Sequence, residues 1–348
     1  MFKRIMLSEK NTLNLQTESI VKFFLTLSVV LYHSIMAWSV FGWHGFEVQP
    51  MKGIGYFTDF LGKFHTPAFT FLSGWLFYYL RYEKGKYQNT KNDIIRRAKR
   101  LLVPYFFMVC WVVPFYFLLE GGNLKTAVLK YVLAGAPSQL WYLIMLFGVF
   151  IIFYFLSDCF NKRPLIFMVI FYALFGIATV LSKFIPDIFQ VWTILKFLLY
   201  FHYGFCIRKG ILETVWRIRP VWFIIIYSVL IFFDYYFLFT AEGLMLNALA
   251  SAISPIISLL GITCFVNLFS RISFDKFNNI ALCRIIGKYK FTIFLFHQQL
   301  VYIPLAFWGK TINPLILIII NFTFSLLGAV IISILLSKFK ITKRIFGI

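Results

Sequence analysis

A chain of 348 residues that is 61% hydrophobic and only 14% charged, with 45 phenylalanines, carries more apolar surface than a soluble core of that length can bury. Its formal net charge of +21 points away from nucleic acid, because the Lys and Arg residues alternate with apolar runs, the pattern by which membrane proteins keep positive charge on the cytoplasmic side. The five cysteines stand singly without a C-x-x-C pair, which argues against a disulfide framework and against a zinc site.

After a polar segment over 1–19 the apolar windows predict spans at 20–41, 60–80, 101–119, 139–157, 164–183, 192–207, 220–240, 246–269, 289–308 and 313–336, followed by a tail over 337–348. The expectation is an all-α polytopic membrane protein with about ten transmembrane helices, a single domain over 1–348. Alternate assignment of the gaps puts Lys3, Arg4 and Lys10, the basic run from Arg81 to Arg100, Arg208, Lys209, Arg217 and Lys343 on one side. The other side receives Lys52, Lys63, Lys125, Lys130, Lys183, Lys196 and Lys310. By the positive-inside rule the richer side, with both termini, is cytoplasmic. The membrane expected is the inner, cytoplasmic one, crossed several times. No internal repeat of the kind left by transporter halves is visible.

The first span carries the first chemistry. Lys22 and His33 are separated by ten residues, and eleven steps of about 100° bring them back to within roughly 20° of one direction, about 16 Å apart along the axis. Glu18 precedes Lys22 by four residues, a spacing that allows an ion pair on that face. An imidazole at bilayer depth is costly, which favours a cavity-facing role over simple packing, and it is the side chain best suited to accept a proton near neutral pH.

In the second span, KFHTPAFTFLSGW over 63–75, Pro67, Ser73 and Gly74 suit a kinked or closely packed helix, and Ser73 equally suits a bond back to the preceding turn. His65 falls near the outer end, where an acceptor contact and a headgroup contact are equal alternatives. In RRAKRLLVPYFF, residues 96–107, the basic cluster at the helix start reads as an interfacial face, with Pro104 early in the helix. The alternative is that Arg97 and Arg100 cradle a phosphorylated ligand in planar forks. His202 and His297 lie a few residues inside their spans from the cytoplasmic end, and His297 with Gln298 and Gln299 makes a polar patch that suits a cavity wall. The histidines come from distant helices without H-x-x-x-H spacing, so no metal is expected. Asp234, near the outer end of the seventh span, suits interfacial snorkelling as well as function.

Taken in order, Lys22-x10-His33, HTPAFTFLSG, RRAKRLLVPY, QLWYLIML over 139–146, FHYGFCIRKG over 201–210 and IGKYKFTIFLFH over 286–297 resemble the acyltransferase-3 family of integral membrane acyltransferases. The likeness is to the branch of fucose 4-O-acetylases and other surface-polysaccharide O-acetyltransferases. It implies transfer of an acetyl or related acyl group from acyl-CoA, as co-substrate with no bound cofactor, to a sugar hydroxyl of a lipid-linked or exported glycan. Carried onto this sequence it makes His33 the catalytic residue, with Lys22 and Glu18 as partners. It gives Arg97 and Arg100 to the coenzyme A phosphates, with Arg208, Lys209 or Lys288 as alternatives. Ser73, His65, Trp141, His202 and His297 become substrate-binding candidates. The family's basic residue is often arginine preceded by aspartate, where this chain has Lys22 with Glu18. The partners expected are acyl-CoA, the glycan or lipid-linked sugar, and the bilayer. A homo-oligomer stays open, since 21% aromatic residues suit lipid and subunit contact alike. The competing reading is a transporter or flippase for a lipid-linked sugar, which has no need of a coenzyme A phosphate site.

Overall fold

The computed structural model describes residues 13–39, 48–119, 122–135, 137–212, 215, 219–240 and 244–348. The basic residues Lys3, Arg4, Lys10 and Arg217 of the charge asymmetry lie outside them. The described residues form helices and connecting turns, with no strand.

Helix α1 (Leu15–Met36) begins where Asn14 Oδ1 accepts the amide hydrogens of Gln16 and Thr17 while Thr17 Oγ1 accepts from the Asn14 amide, a reciprocal cap that satisfies the first free donors. It is followed by α2 (Lys52–Gly62), α3 (His65–Tyr78, continued by a π-turn over Tyr79–Glu83), α4 (Thr90–Leu119) and the short α5 (Leu124–Ala127). Next come α6 (Trp141–Lys162), α7 (Pro164–Leu181), α8 (Val191–Arg208), α9 (Pro220–Thr240) and α10 (Leu244–Ser270). The chain closes with the short α11 (Phe274–Asn279), α12 (Ala281–Trp308), α13 (Pro314–Leu336) and α14 (Lys340–Phe346). Pro164 and Pro314 open α7 and α13, where a missing amide hydrogen costs nothing.

Among the described residues seven helices are long and apolar enough to cross a bilayer: α1, α4, α6, α7, α10, α12 and α13. The other three expected spans are built differently. The window 60–80 is two pieces, because α2 stops at Gly62 and α3 starts at His65. The window 192–207 is α8, diluted by Lys196 and His202, and the described apolar part of α9 runs over Pro220–Tyr236. Two span boundaries also move. Helix α1 ends at Met36 rather than 41, which puts His33 in its last turn. Helix α4 starts at Thr90 rather than 101, so Arg96–Arg100 is helix interior and Pro104 and Pro114 lie well inside it. Polar side chains at 90–100 hide that extension from an apolarity scan.

Polarity is arranged as a bilayer demands. Leu118, Phe106, Phe155, Val169, Ile319 and Ile331 are exposed, whereas Ser34, Thr70, Gln139, His202, Gln299 and Asn321 are buried. Helices α3 and α7 both pack on α8; α1, α12 and α13 pack on one another, α4 on α6, and α9 on α10. The α3–α8 contact is backbone against backbone. A Cβ on Gly74 would stand 1.8 Å from the Phe201 carbonyl oxygen, and one on Gly204 1.9 Å from that of Phe71. With little hydrophobic drive between helices in lipid, such close approach supplies the dispersion and Cα–H···O contacts that hold the pair.

Two ends of the bundle can be distinguished. At one, Ser19 near the start of α1 meets Lys290, Glu83 after α3 meets Arg208 at the end of α8, and Tyr82 meets Asp158 late in α6. At the other lie the last turn of α1, the start of α3 and the starts of α6 and α8, which together enclose the cavity described next.

Candidate active site

A cavity of about 660 Å³ is lined by Tyr32, His33 and Met36 from α1, Lys63, His65 and Thr66 at the α2–α3 junction, and Ser138, Gln139 and Trp141 at the start of α6. Asp187, Gln190, Thr193, Lys196 and Tyr200 complete it from the α7–α8 connection and α8, with Ser258 and Gln298 from α10 and α12. A smaller cavity of about 420 Å³ adjoins it through Tyr32, Met36, Gly62 and Lys63 and adds Ser39, Thr58 and Asp59. The volume and the mixture of aromatic and polar walls are those of a small-molecule or sugar site.

His33 is half-buried in the cavity wall. Its Nδ1 lies 3.0 Å from the Val29 carbonyl oxygen and 2.9 Å from His297 Nε2. His297 is fully buried, with Nδ1 3.0 Å from the Ile293 carbonyl and 2.8 Å from that of Phe294. The two rings are 4.8 Å apart, centre to centre. His65 is buried, not in a headgroup region: its Nδ1 is 2.6 Å from the Leu61 carbonyl and its ring lies 4.8 Å from that of Tyr32. The chain turn at Lys63–Phe64 is what delivers it to the cavity. Three histidines far apart in sequence therefore gather at one place.

The polar patch after His297 divides its work. Gln298 lines the cavity, and its Nε2 donates to the Tyr302 hydroxyl at 2.7 Å. Gln299 turns the other way and pairs with Gln139: Gln139 Nε2 donates to Gln299 Oε1 at 2.7 Å and to the Leu295 carbonyl at 2.6 Å, while Gln299 Nε2 donates to Gln139 Oε1 at 3.1 Å. Both amides are buried, so Gln139→Leu, which strands the partner amide, is expected to lower stability by about 1–3 kcal/mol, whereas Gln139→Leu with Gln299→Leu recovers most of the loss. Thermal melts of the detergent-purified variants measure both; equal melting of the single and double variants contradicts the pairing.

Lys63 Nζ is 2.7 Å from Asp234 Oδ2 and donates to Ser254 Oγ at 2.8 Å, which makes Asp234 a buried ion-pair partner rather than a snorkelling interfacial group. Asp187 accepts the amide hydrogens of Trp192 and Thr193 at 2.7 and 3.2 Å and so holds the start of α8, and Lys196 donates to Ser182 Oγ at 3.1 Å. Sequence reading passed over Asp187, Gln190, Lys196 and Tyr200. The polar ones look like ordinary loop and interfacial residues until the α7–α8 connection folds over the cavity.

Other candidates lie elsewhere. Lys22 and Glu18 form the expected ion pair, with Lys22 three turns of α1 or about 16 Å from His33 along the axis. Lys290 joins them by donating to Ser19 Oγ at 2.9 Å, and Arg100 is within electrostatic reach of Glu18 and Arg97. Arg97 is partly occupied already: its guanidinium lies 3.7 Å from the centre of the Phe150 ring and donates to the Tyr87 hydroxyl at 3.0 Å. Arg208 is clasped by Glu83 through two bonds of 2.6 Å, and Lys209 donates to the Asn161 carbonyl. Ser73 takes the packing alternative, donating back to the Phe69 carbonyl at 3.0 Å. His202 sits outside the cavity among Phe153, Phe160, Phe171 and Phe205, with Nε2–H donating to the Pro164 carbonyl at 2.8 Å. Trp141 does line the cavity, its ring edge against Phe197.

None of the curated proteins and none of the solved structures matches the chain. A family model described as an acyltransferase domain matches residues 19–338. That stretch runs from the second turn of α1 to the end of α13 and takes in the cavity and Lys22, with Glu18 just outside it. The chain therefore belongs to the acyltransferase-3 family and is a multi-pass membrane acyltransferase.

Proposed function

We propose that this acyltransferase carries an acetyl or related acyl group from cytoplasmic acyl-CoA to a hydroxyl of a lipid-linked or cell-surface polysaccharide, in the manner of the fucose 4-O-acetylase-like branch. The protein is then a ten-span resident of the inner, cytoplasmic membrane with both termini inside. The observation that carries the reading is His33 in the wall of a cavity that offers a sugar what it needs: the aromatic side chains of Trp141 and Tyr200, and the hydrogen-bonding groups of Gln190 and Gln298. The cavity sits toward the bundle end that the charge pattern assigns to the outside. The donor phosphates belong at the opposite end, where Lys22, Lys290 and Arg100 surround Glu18 and supply more positive than negative charge.

His33 has two chemically balanced routes. As general base its ring takes the acceptor hydroxyl's proton while that oxygen attacks the thioester carbonyl; the C–S bond breaks and the proton passes to the leaving thiolate. As nucleophile it attacks the thioester itself, releases the thiol and hands the acyl group from nitrogen to the hydroxyl.

Mass analysis of the surface glycan from cells with and without the chain tests the substrate class. The expected result is loss of one acetyl mass per modified sugar when the chain is absent, and acetylation in inside-out membrane vesicles supplied with acetyl-CoA but not in right-side-out ones. A glycan of unchanged mass removes the polysaccharide as acceptor, and equal labelling of both vesicle orientations removes the cytoplasmic donor site.

A further inference from the structure

The transfer chemistry above uses His33 and leaves His297 without a role, although it lies within hydrogen-bond distance of the reacting imidazole and is fully buried. Carbonyl oxygens only accept, so the nitrogens that face them must carry the hydrogens. His297 Nδ1 faces the Ile293 and Phe294 carbonyls at 3.0 and 2.8 Å, and is therefore the protonated nitrogen of a neutral ring. Its Nε2 is then a bare lone pair. That lone pair points at His33 Nδ1, 2.9 Å away, and His33 Nδ1 also faces the Val29 carbonyl at 3.0 Å. Two acceptors converge on one nitrogen, so His33 carries its proton on Nδ1 and keeps Nε2 as its basic and nucleophilic atom.

We infer that His297 is a positioning residue that, together with the Val29 carbonyl, fixes the tautomer and ring orientation of His33 and, once His33 has taken up a proton or an acyl group at Nε2, accepts a strengthened hydrogen bond from Nδ1–H. The arrangement does with a second imidazole what a carboxylate does behind the histidine of a serine hydrolase. An imidazole is the apt choice within a membrane, because it accepts the same hydrogen bond without burying a full negative charge in the resting enzyme. The main chain of α12 holds His297 in turn: residues three and four positions earlier supply the two carbonyls, so the relay is built from one helical turn and needs no further side chain. The inference rests on the reading of His33 as the reacting group.

The test uses the full chain in lipid nanodiscs with 15N-labelled histidine, acetyl-CoA as donor, and as acceptor the unmodified glycan from cells lacking the chain. Nitrogen NMR of the resting protein is expected to show His33 protonated on Nδ1, assigned by its loss in His33→Ala. In His297→Leu, where only the Val29 carbonyl is left to accept from Nδ1, the His33 Nδ1–H proton resonance should move upfield as its hydrogen bonding weakens. The same variant should lower kcat by about 100-fold with the KM for acetyl-CoA unchanged. His297→Gln should restore the rate to within about tenfold, since its amide oxygen accepts from His33 while its amide hydrogens serve the α12 carbonyls. If His297→Leu does not accumulate, His297→Met carries the same comparison. A wild-type His33 protonated on Nε2, or a His297→Leu enzyme at full rate where His33→Ala is inactive, overturns the pair. Failure of the underlying reading looks different: His33→Ala then keeps transferring acyl groups, whatever tautomer the spectra report.

Discussion

Replacing His33 by alanine is expected to reduce acyl transfer to background while the protein still accumulates in the membrane at its normal level. The structural cost is modest because the imidazole is half-buried at a cavity wall in the last turn of α1, where its removal enlarges an existing space and, of the α1–α12 contacts, takes away the hydrogen bond to His297. The chemical cost is large. A positioned base is worth about 10²–10⁴ in rate, and a nucleophile that forms a covalent intermediate is worth the whole reaction. Acetyl content of the glycan by mass spectrometry, set against the amount of protein in the membrane fraction, reads both halves of the expectation. Near-normal acetylation in His33→Ala would remove the residue from the mechanism and leave His65, the other imidazole at the cavity, as the group to examine.

The second large effect is structural. Gly74→Ala and Gly204→Ala each place a methyl group at 1.8–1.9 Å from a carbonyl oxygen of the facing helix, well inside van der Waals contact, and the obstacle is backbone that cannot rotate away. Helices α3 and α8 must separate. Their separation opens the aromatic core that Phe71, Phe77, Phe201 and Phe205 share, and it shifts the start of α3, which carries His65, against the start of α8, which carries Thr193 and Lys196. Overpacking commonly costs about 1–3 kcal/mol, and contact with rigid main chain belongs at or above the upper end of that range. Each variant should therefore show a strong drop in detergent-resistant folded protein and in melting temperature. Gly176→Ala, with nothing within 4 Å of the added methyl, serves as the control that should behave as wild type. Normal melting of Gly204→Ala would mean that the two helices are not in backbone contact.

These two predictions draw on different kinds of legibility. His33 and Lys22 stood out from composition alone, because an imidazole and a cation within an apolar run break a pattern that is otherwise uniform, and a helical repeat of 3.6 residues places them on one face without further information. Gly74 was marked by the sequence as suited to close packing, but its partner Gly204 was not, since a lone glycine has no signature until the facing helix is known. The distribution of charge likewise separated the two ends of the bundle, because Lys and Arg are excluded from lipid and must collect where water is. What an apolarity scan lost was everything polar that the helices absorb. Helix α4 reaches back to Thr90 through charged residues, α8 carries Lys196 and His202 within its length, and the 60–80 window is broken at Lys63–Phe64.

Function followed the same division. Residue order over most of the chain carried the family, which the match over residues 19–338 establishes. The sequence by itself thus determined a multi-helix membrane acyltransferase and singled out the histidine of its first helix, because hydropathy, charge and motif order are local properties that each segment displays alone. The tertiary structure decided which histidines stand together. It set His297 against His33, drew in His65 through a chain turn, left His202 in an aromatic pocket and kept Lys22 with Glu18 at the far end of α1. Those outcomes depend on how α12 and α8 are rotated about their axes and how deeply they sit. The rotation is fixed by packing between helices distant in sequence, through contacts such as the Gly74–Gly204 crossing and the Gln139–Gln299 amide pair, which no single segment can encode.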